Sequence, residues 1–219
     1  THGVDPGRML LGNGSHELLM QLAQVFAGAG GEVVFSRYGF AVFALASQAA
    51  GATARIVDAL PRDHAMPLGH DLYAIAEAIT PATRLVYLAN PNNPTGTWFG
   101  QAALEAFMAR VPERVVVVMD EAYAEMADPG IDCARALPLL ATYPNLVVTR
   151  TFSKAYGLAG LRVGYLIGAR ELVAVMERIR ESFNVNGLAL SACEAALGDI
   201  EHLRWACELN SQQRAELAD

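Results

Sequence analysis

The feature that most constrains this chain is a rhythm of short apolar runs. Stretches rich in Val, Leu and Ile fall at 32–36 (EVVFS), 54–59 (ARIVDA), 84–90 (RLVYLAN), 114–122 (RVVVVMDEA), 145–151 (NLVVTRT) and 162–168 (RVGYLIG). Between most of them lie segments of helical spacing, at 16–27, 39–50, 71–79, 100–110 and 170–181. Runs this short and this apolar read as strands buried on both faces. Their alternation with helices predicts an α/β fold of three layers, α/β/α, around a mainly parallel central sheet.

Such a sheet binds its ligands beyond the carboxyl ends of its strands. The polar residues that follow the apolar runs, at 90–96, 120–123 and 151–154, are therefore the places to look for chemistry. The 219 residues accommodate one large domain, placed at 1–198, and a charged amphipathic helix at 199–219 (DIEHLRWACELNSQQRAELAD).

Charge and composition narrow the function. A net charge of −7 argues against nucleic-acid binding, which needs clustered Lys and Arg on one face. Cys133, Cys193 and Cys207 are too few and too scattered for a disulfide framework, and no spacing suggests a metal site. The longest uncharged stretch, 38–54, contains Gly39, Ser47, Gln48, Gly51 and Thr53 and reads as a helix and turn rather than a membrane span. Small-molecule chemistry in a reducing compartment is the remaining class.

Lys154 is the only lysine; the other fifteen basic residues are Arg. Arginine keeps its proton and forms no imine, whereas a partly desolvated lysine does both jobs, so the exception points to a required amine. Asp120 ends an apolar strand where it faces the ligand crevice. It reads equally as a loop cap, as the magnesium-holding acid of a nucleotidase, or as the anionic partner of a cofactor's ring nitrogen. The nucleotidase reading needs GxxxxGK[ST], which the chain lacks, and GAGG at 28–31 precedes its strand instead of following it.

At 10–19, LLGNGSHELL reads as a glycine-rich turn entering a helix, with Ser15 as N-cap and Glu17 in the first turn. Free amides at a helix start also bind phosphate, and Thr151, Ser153 and Arg162 could meet the same anion from the far side. NPNNPTG at 90–96 reads as a turn, and Tyr38 follows the 32–36 strand as core or rim.

In this order, GNGS, Tyr38, NPNNPTG, DEAY and SKAYGLAGLRVGY resemble the fold type I pyridoxal-phosphate enzymes, specifically the class I/II aminotransferases, over roughly 10–200. FNVNGLALSA (183–192) with RTFSKAYGLAGLR is most similar to the histidinol-phosphate branch. The resemblance implies that Lys154 bonds the aldehyde of pyridoxal 5'-phosphate and then shuttles the proton during transfer. It implies that Asp120 keeps the ring nitrogen protonated, that Tyr123 and Asn93 hydrogen-bond the ring oxygen, and that Tyr38 stacks on the ring. Ser15 and the His16 amide, with Thr151, Ser153 and Arg162, are implied to grip the phosphate. A lysine desolvated there among other cations is expected to lose its proton more readily than usual.

The implied reaction exchanges an amino group between histidinol phosphate and 2-oxoglutarate, in a cytoplasmic homodimer of histidine biosynthesis. An aromatic amino acid aminotransferase, a threonine-phosphate decarboxylase and a non-catalytic binding domain share the pattern. Relatives carry a segment before Thr1 and a small domain after Asp219 that holds a carboxylate-binding arginine. The expectation is a chain with the cofactor site but only part of the substrate site, which turns over poorly alone.

Overall fold

The computed structural model describes residues 3–218. One sheet contains β1 (Met9–Asn13), β2 (Glu32–Ser36), β3 (Thr53–Val57), β4 (Thr83–Ala89), β5 (Val116–Asp120), β6 (Leu146–Thr151) and β7 (Val163–Ile167). Their order is β1-β7-β6-β5-β4-β2-β3. Strand β7 runs antiparallel to both β1 and β6, and every other neighbouring pair is parallel. All strands but β7 therefore point their carboxyl ends at the same edge, as the expected architecture requires.

Each expected run is a strand, with ends shifted by a few residues at most. Strand β1 departs from the expectation, which makes this stretch a turn. Gly12 and Asn13 favour turns by composition, but pairing with β7, from Met9↔Ile167 to Asn13↔Val163, extends them instead.

The helices are α1 (Gly14–Leu22), α2 (Val42–Ala49), α3 (Leu72–Glu77), α4 (Gln101–Met108), α5 (Arg170–Glu177), α6 (Gly187–Gly198) and α7 (Ile200–Ala218). A π-helical turn, Ala23–Ala27, continues α1. Helix α6 has no counterpart in the sequence reading. Its small apolar residues hide any period, and only Ala189 and Cys193, four apart, are buried. Asn186, whose side chain accepts from the Ala189 amide at 2.9 Å, is the start signal that was available.

Two cores lie on the two faces of the sheet, and alternate strand residues feed them. Val33, Phe35, Leu85, Tyr87, Val116, Val118 and Val147 pack on one face with Leu18 and Leu22 of α1, Phe43 of α2 and Met176 of α5. Val34, Val86, Leu88, Val117, Met119 and Val148 pack on the other with Ile75 of α3, Phe107 of α4 and Cys193 of α6. The same alternation, continued one residue further along β5, sends the side chains of Asp120 and Glu121 to opposite faces.

Helix α7 half-buries Leu203, Ala206, Cys207, Asn210 and Ser211, a stripe of helical period. It fastens the segment after β5: the Cys207 thiol meets Glu125 O at 3.1 Å, Ser211 donates to Asp128 at 2.9 Å, and Arg214 pairs with Asp128. Among the described residues, no helix is long and apolar enough to cross a membrane.

Candidate active site

The carboxyl edge of the sheet holds a cavity of about 170 Å³. Nine of the ten residues singled out from the sequence line it: Ser15, His16, Asn93, Asp120, Tyr123, Thr151, Ser153, Lys154 and Arg162. Phe40, Ala89, Pro91 and Ala122 complete the wall. Tyr38 does not line it. That side chain is 39% exposed, and the loop is held by its backbone, with Tyr38 O accepting from Asn92 Nδ2 at 2.9 Å. Phe40, two residues on, lines the cavity instead, together with Tyr123.

At one end, α1 begins against the sheet. Helix formation starts at Gly14, so Asn13 is the N-cap and Ser15 is not, contrary to the sequence reading. Glu17 Oε2 accepts from the Asn13 amide at 2.5 Å, and the Ser15 hydroxyl is left to the cavity. Gly164 makes the approach possible: a Cβ there would lie 2.6 Å from Gly14 C and closer still to the Ser15 amide. Gly14, at φ +75°, likewise leaves the room that the Arg162 guanidinium occupies.

Opposite this helix start, Thr151 Oγ1 lies 3.0 Å from Ser153 Oγ and accepts from the Ser153 amide at 3.1 Å. Arg162 donates to Ser153 Oγ at 3.3 Å and to Ala159 O at 3.0 Å. Arg162 itself is in the left-handed region, φ +55°, a conformation that costs energy outside glycine and clusters at functional sites. Three hydroxyls, free helix amides and a guanidinium thus gather on one concave surface, which suits an anion.

At the other end sits Asp120, only 4% exposed. Burial pushes its carboxyl up to about 6; the Thr149 hydroxyl, donating at 2.9 Å, opposes that, neighbouring Glu121 adds to it, and the Ala122 amide and Lys154 charge oppose it. A carboxyl at about 6 is mostly ionised at neutral pH. Sequence reasoning missed Thr149. It lies two residues before Thr151 on the same face of β6, so strand period was the signal that could have found it.

Lys154 is exposed rather than buried, because it rides the turn between β6 and β7 at the cavity mouth. Its Nζ stands 5.1 Å from the centre of the Tyr123 ring, a cation–π contact over the same opening. Asn93 approaches from the loop after β4. Buried Asn90 staples that loop, donating to Phe99 O and Ala134 O at 3.2 Å each and accepting from the Phe99 amide at 3.0 Å.

The sequence profile of the aminotransferase class I and II family matches residues 2–219. The chain belongs to this family. A histidinol-phosphate aminotransferase of Hydrogenovibrio crunogenus is 51% identical over 94% of the chain and 54% of its own length. One from Pseudomonas aeruginosa is 49% identical over 99% of the chain and 57% of its own length. The chain thus spans about half the length of these curated relatives. The crystal structure of histidinol-phosphate aminotransferase from Sinorhizobium meliloti, in complex with pyridoxal-5'-phosphate, superposes with a TM-score of 0.88 at 33% identity, covering 98% of the chain and 57% of that structure.

Beside the first cavity, this aminotransferase family member has a wider one of about 500 Å³ that shares Pro91, Asn93 and Tyr123 with it. Trp98 and Met126 line it, as do Asn210 and Arg214 of α7.

Proposed function

We propose that the full-length protein is a histidinol-phosphate aminotransferase that uses pyridoxal phosphate, with 2-oxoglutarate as amino acceptor. The observation that carries this reading is that one cavity is lined by the hydroxyls of Ser15, Thr151 and Ser153 with the Arg162 guanidinium, by the buried acid Asp120 and by the sole lysine, Lys154. Identity near 50% across almost the whole chain supports the choice of substrate. By the same likeness to its relatives, the protein is read as a cytoplasmic homodimer.

The donor set fits pyridoxal phosphate. Ser15, Thr151, Ser153, Arg162 and the first amides of α1 match a phosphate, and Gly14 and Gly164 form a cradle that a Cβ would fill. Asp120, charged at neutral pH, matches a protonated ring nitrogen. Tyr123 and Asn93 offer hydrogen bonds to the ring oxygen, and Phe40 offers an apolar wall to the ring.

Once bound, the cofactor supplies an electron sink that makes a proton on the substrate's amino-bearing carbon removable. The protein supplies position and charge. Lys154 Nζ would hold the aldehyde in the resting site and, once the substrate's amine had displaced it, would be the free amine that takes that proton and returns it. The Asp120 carboxylate would favour a protonated ring nitrogen and so keep the sink effective. Arg162 and the hydroxyls of Ser15, Thr151 and Ser153 would hold the phosphate and so fix the cofactor's position relative to Lys154.

Incubation of the purified protein with pyridoxal phosphate, histidinol phosphate and 2-oxoglutarate tests the reading. Glutamate formation is expected. Turnover of phenylalanine or tyrosine with none of histidinol phosphate would assign a different substrate.

A further inference from the structure

On the sheet face opposite the cavity, directly behind Asp120, lies a second buried acid that the mechanism does not use. Glu121 is fully buried, and its Oε2 meets Arg150 Nη2 at 2.5 Å while its Oε1 accepts from the Ala136 amide at 2.7 Å. Arg150, 12% exposed in its side chain, also reaches Glu125 Oε1 at 3.0 Å. Burial by itself would make this guanidinium a weaker base, but Glu121 and then Glu125 outweigh that and raise its proton affinity. Strands β5 and β6 thus serve two acids from two faces: Thr149 holds Asp120, and the next residue, Arg150, holds Glu121.

Consecutive buried carboxylates each make the other harder to ionise. An unpaired Glu121 would place a second negative charge behind Asp120 in a region of low polarity, where the repulsion is strong. We propose that Arg150, which does not touch the cavity, is a positioning residue for it: by neutralising Glu121 it preserves the charge on Asp120, and by binding Glu125 it holds the turn that presents Tyr123.

The inference rests on the role proposed for Asp120. Around that carboxyl stand Tyr87 from β4, Glu121 next in sequence, Thr149 from β6 and Lys154 from the following turn, with His16 and Arg162 lining the same cavity. Around the Glu121–Arg150 pair stand Glu125, Tyr165, Cys133 and, beyond the thiol, Arg135. Of these, Arg150 is the cation in contact with Glu121.

The test is a carbon-13 titration of the Asp120 carboxyl in the cofactor-free protein, paired with pyridoxal phosphate affinity measured across pH. Arg150→Met is expected to raise the Asp120 midpoint by about one pH unit and to weaken cofactor binding about twofold at pH 7, approaching about tenfold near pH 5. That loss should shrink above pH 8, where Asp120 ionises regardless. Adding Glu121→Gln to Arg150→Met should restore both quantities, and Arg150→Lys should keep most of them. An unmoved Asp120 midpoint, with the proton taken up by Glu121 or with affinity lost equally at every pH, overturns the proposal. If Arg150→Met does not fold, Glu121→Gln alone, which leaves Glu125 to Arg150, must lower the Asp120 midpoint; no change there overturns it as well. Failure of the cofactor reading itself would appear separately, as no binding by the unmodified protein while the titration shifts remain.

Discussion

Thr149 Oγ1 donates to Asp120 Oδ1 at 2.9 Å, from the middle of β6 to the last residue of β5. This bond ties the buried acid to the strand that leads into Thr151, Ser153 and Lys154, so the cavity's charge and its anion-binding surface share one support. Thr149→Val keeps the shape and removes the donor. Losing a hydrogen bond to a charged group, about 1.5–3 kcal/mol, should raise the Asp120 midpoint by about one to two pH units, which weakens pyridoxal phosphate binding about two- to tenfold at pH 7 and more at pH 6 than at pH 8. Titration of cofactor binding by fluorescence checks this.

Asp120 imposes a stability cost with a definite sign. Its folded carboxyl is pushed up to about 6 from 3.8, so the native state binds the proton more tightly than the unfolded chain. Stability therefore falls as pH rises from about 4 to about 6, and the cost is fully present above that window. Asp120→Asn should stabilise the cofactor-free protein at pH 7–8 by on the order of 1–3 kcal/mol, with no gain near pH 3.5. Transamination should drop at least about a hundredfold. Urea melts at several pH values, with activity alongside, read both effects.

His70 acts in the opposite direction over nearly the same window. Burial lowers its proton affinity to about 4 from 6.5, despite Ala89 O at 3.1 Å from Nε2, which favours the charged ring. The unfolded chain takes up the proton first, so stability is lost as pH falls from about 6.5 to about 4. His70→Gln should flatten that acid limb by on the order of 2–3 kcal/mol. A protein carrying both acid and imidazole should show a shallower pH dependence in this range than either single variant, which thermal melts across pH 4–7 can resolve.

Gly164 and Gly14 should differ when changed to alanine. At Gly164 the new Cβ would press on the Ser15 amide and lie 2.9 Å from Arg150 O, both backbone atoms, so α1 must leave the sheet. A loss of about 2–4 kcal/mol is expected, with phosphate affinity lost alongside. At Gly14 the obstacle is the Arg162 guanidinium, which can swing away, so the stability cost should be about 1–2 kcal/mol, set by the positive φ. Comparing denaturant midpoints with inorganic phosphate binding separates the two cases.

Much of this fold was legible because a parallel sheet writes itself as apolar runs. The run ending at Asp120 and the polar residues after 89 and 150 led directly to the cavity edge. What escaped was decided by pairing rather than by local composition. Met9–Asn13 becomes a strand only because β7 is beside it, and that strand moves the start of α1 to Gly14 and takes the cap away from Ser15. Tyr38 and Phe40 lie two residues apart after β2, and no spacing reveals that Phe40 is the one that lines the cavity. The exposure of Lys154 follows from its place on a turn at the cavity mouth, whereas its chemistry was readable from its being the only lysine. Glu121 and Arg150 looked like ordinary charges until the strand faces were known.

The most direct test of the central claim is chemical labelling of the amine. Purified protein incubated with pyridoxal phosphate, reduced with borohydride and digested should carry the pyridoxyl group on the peptide containing Lys154, with Lys154→Ala unlabelled. Stable binding of the cofactor with no label on that peptide would contradict the account.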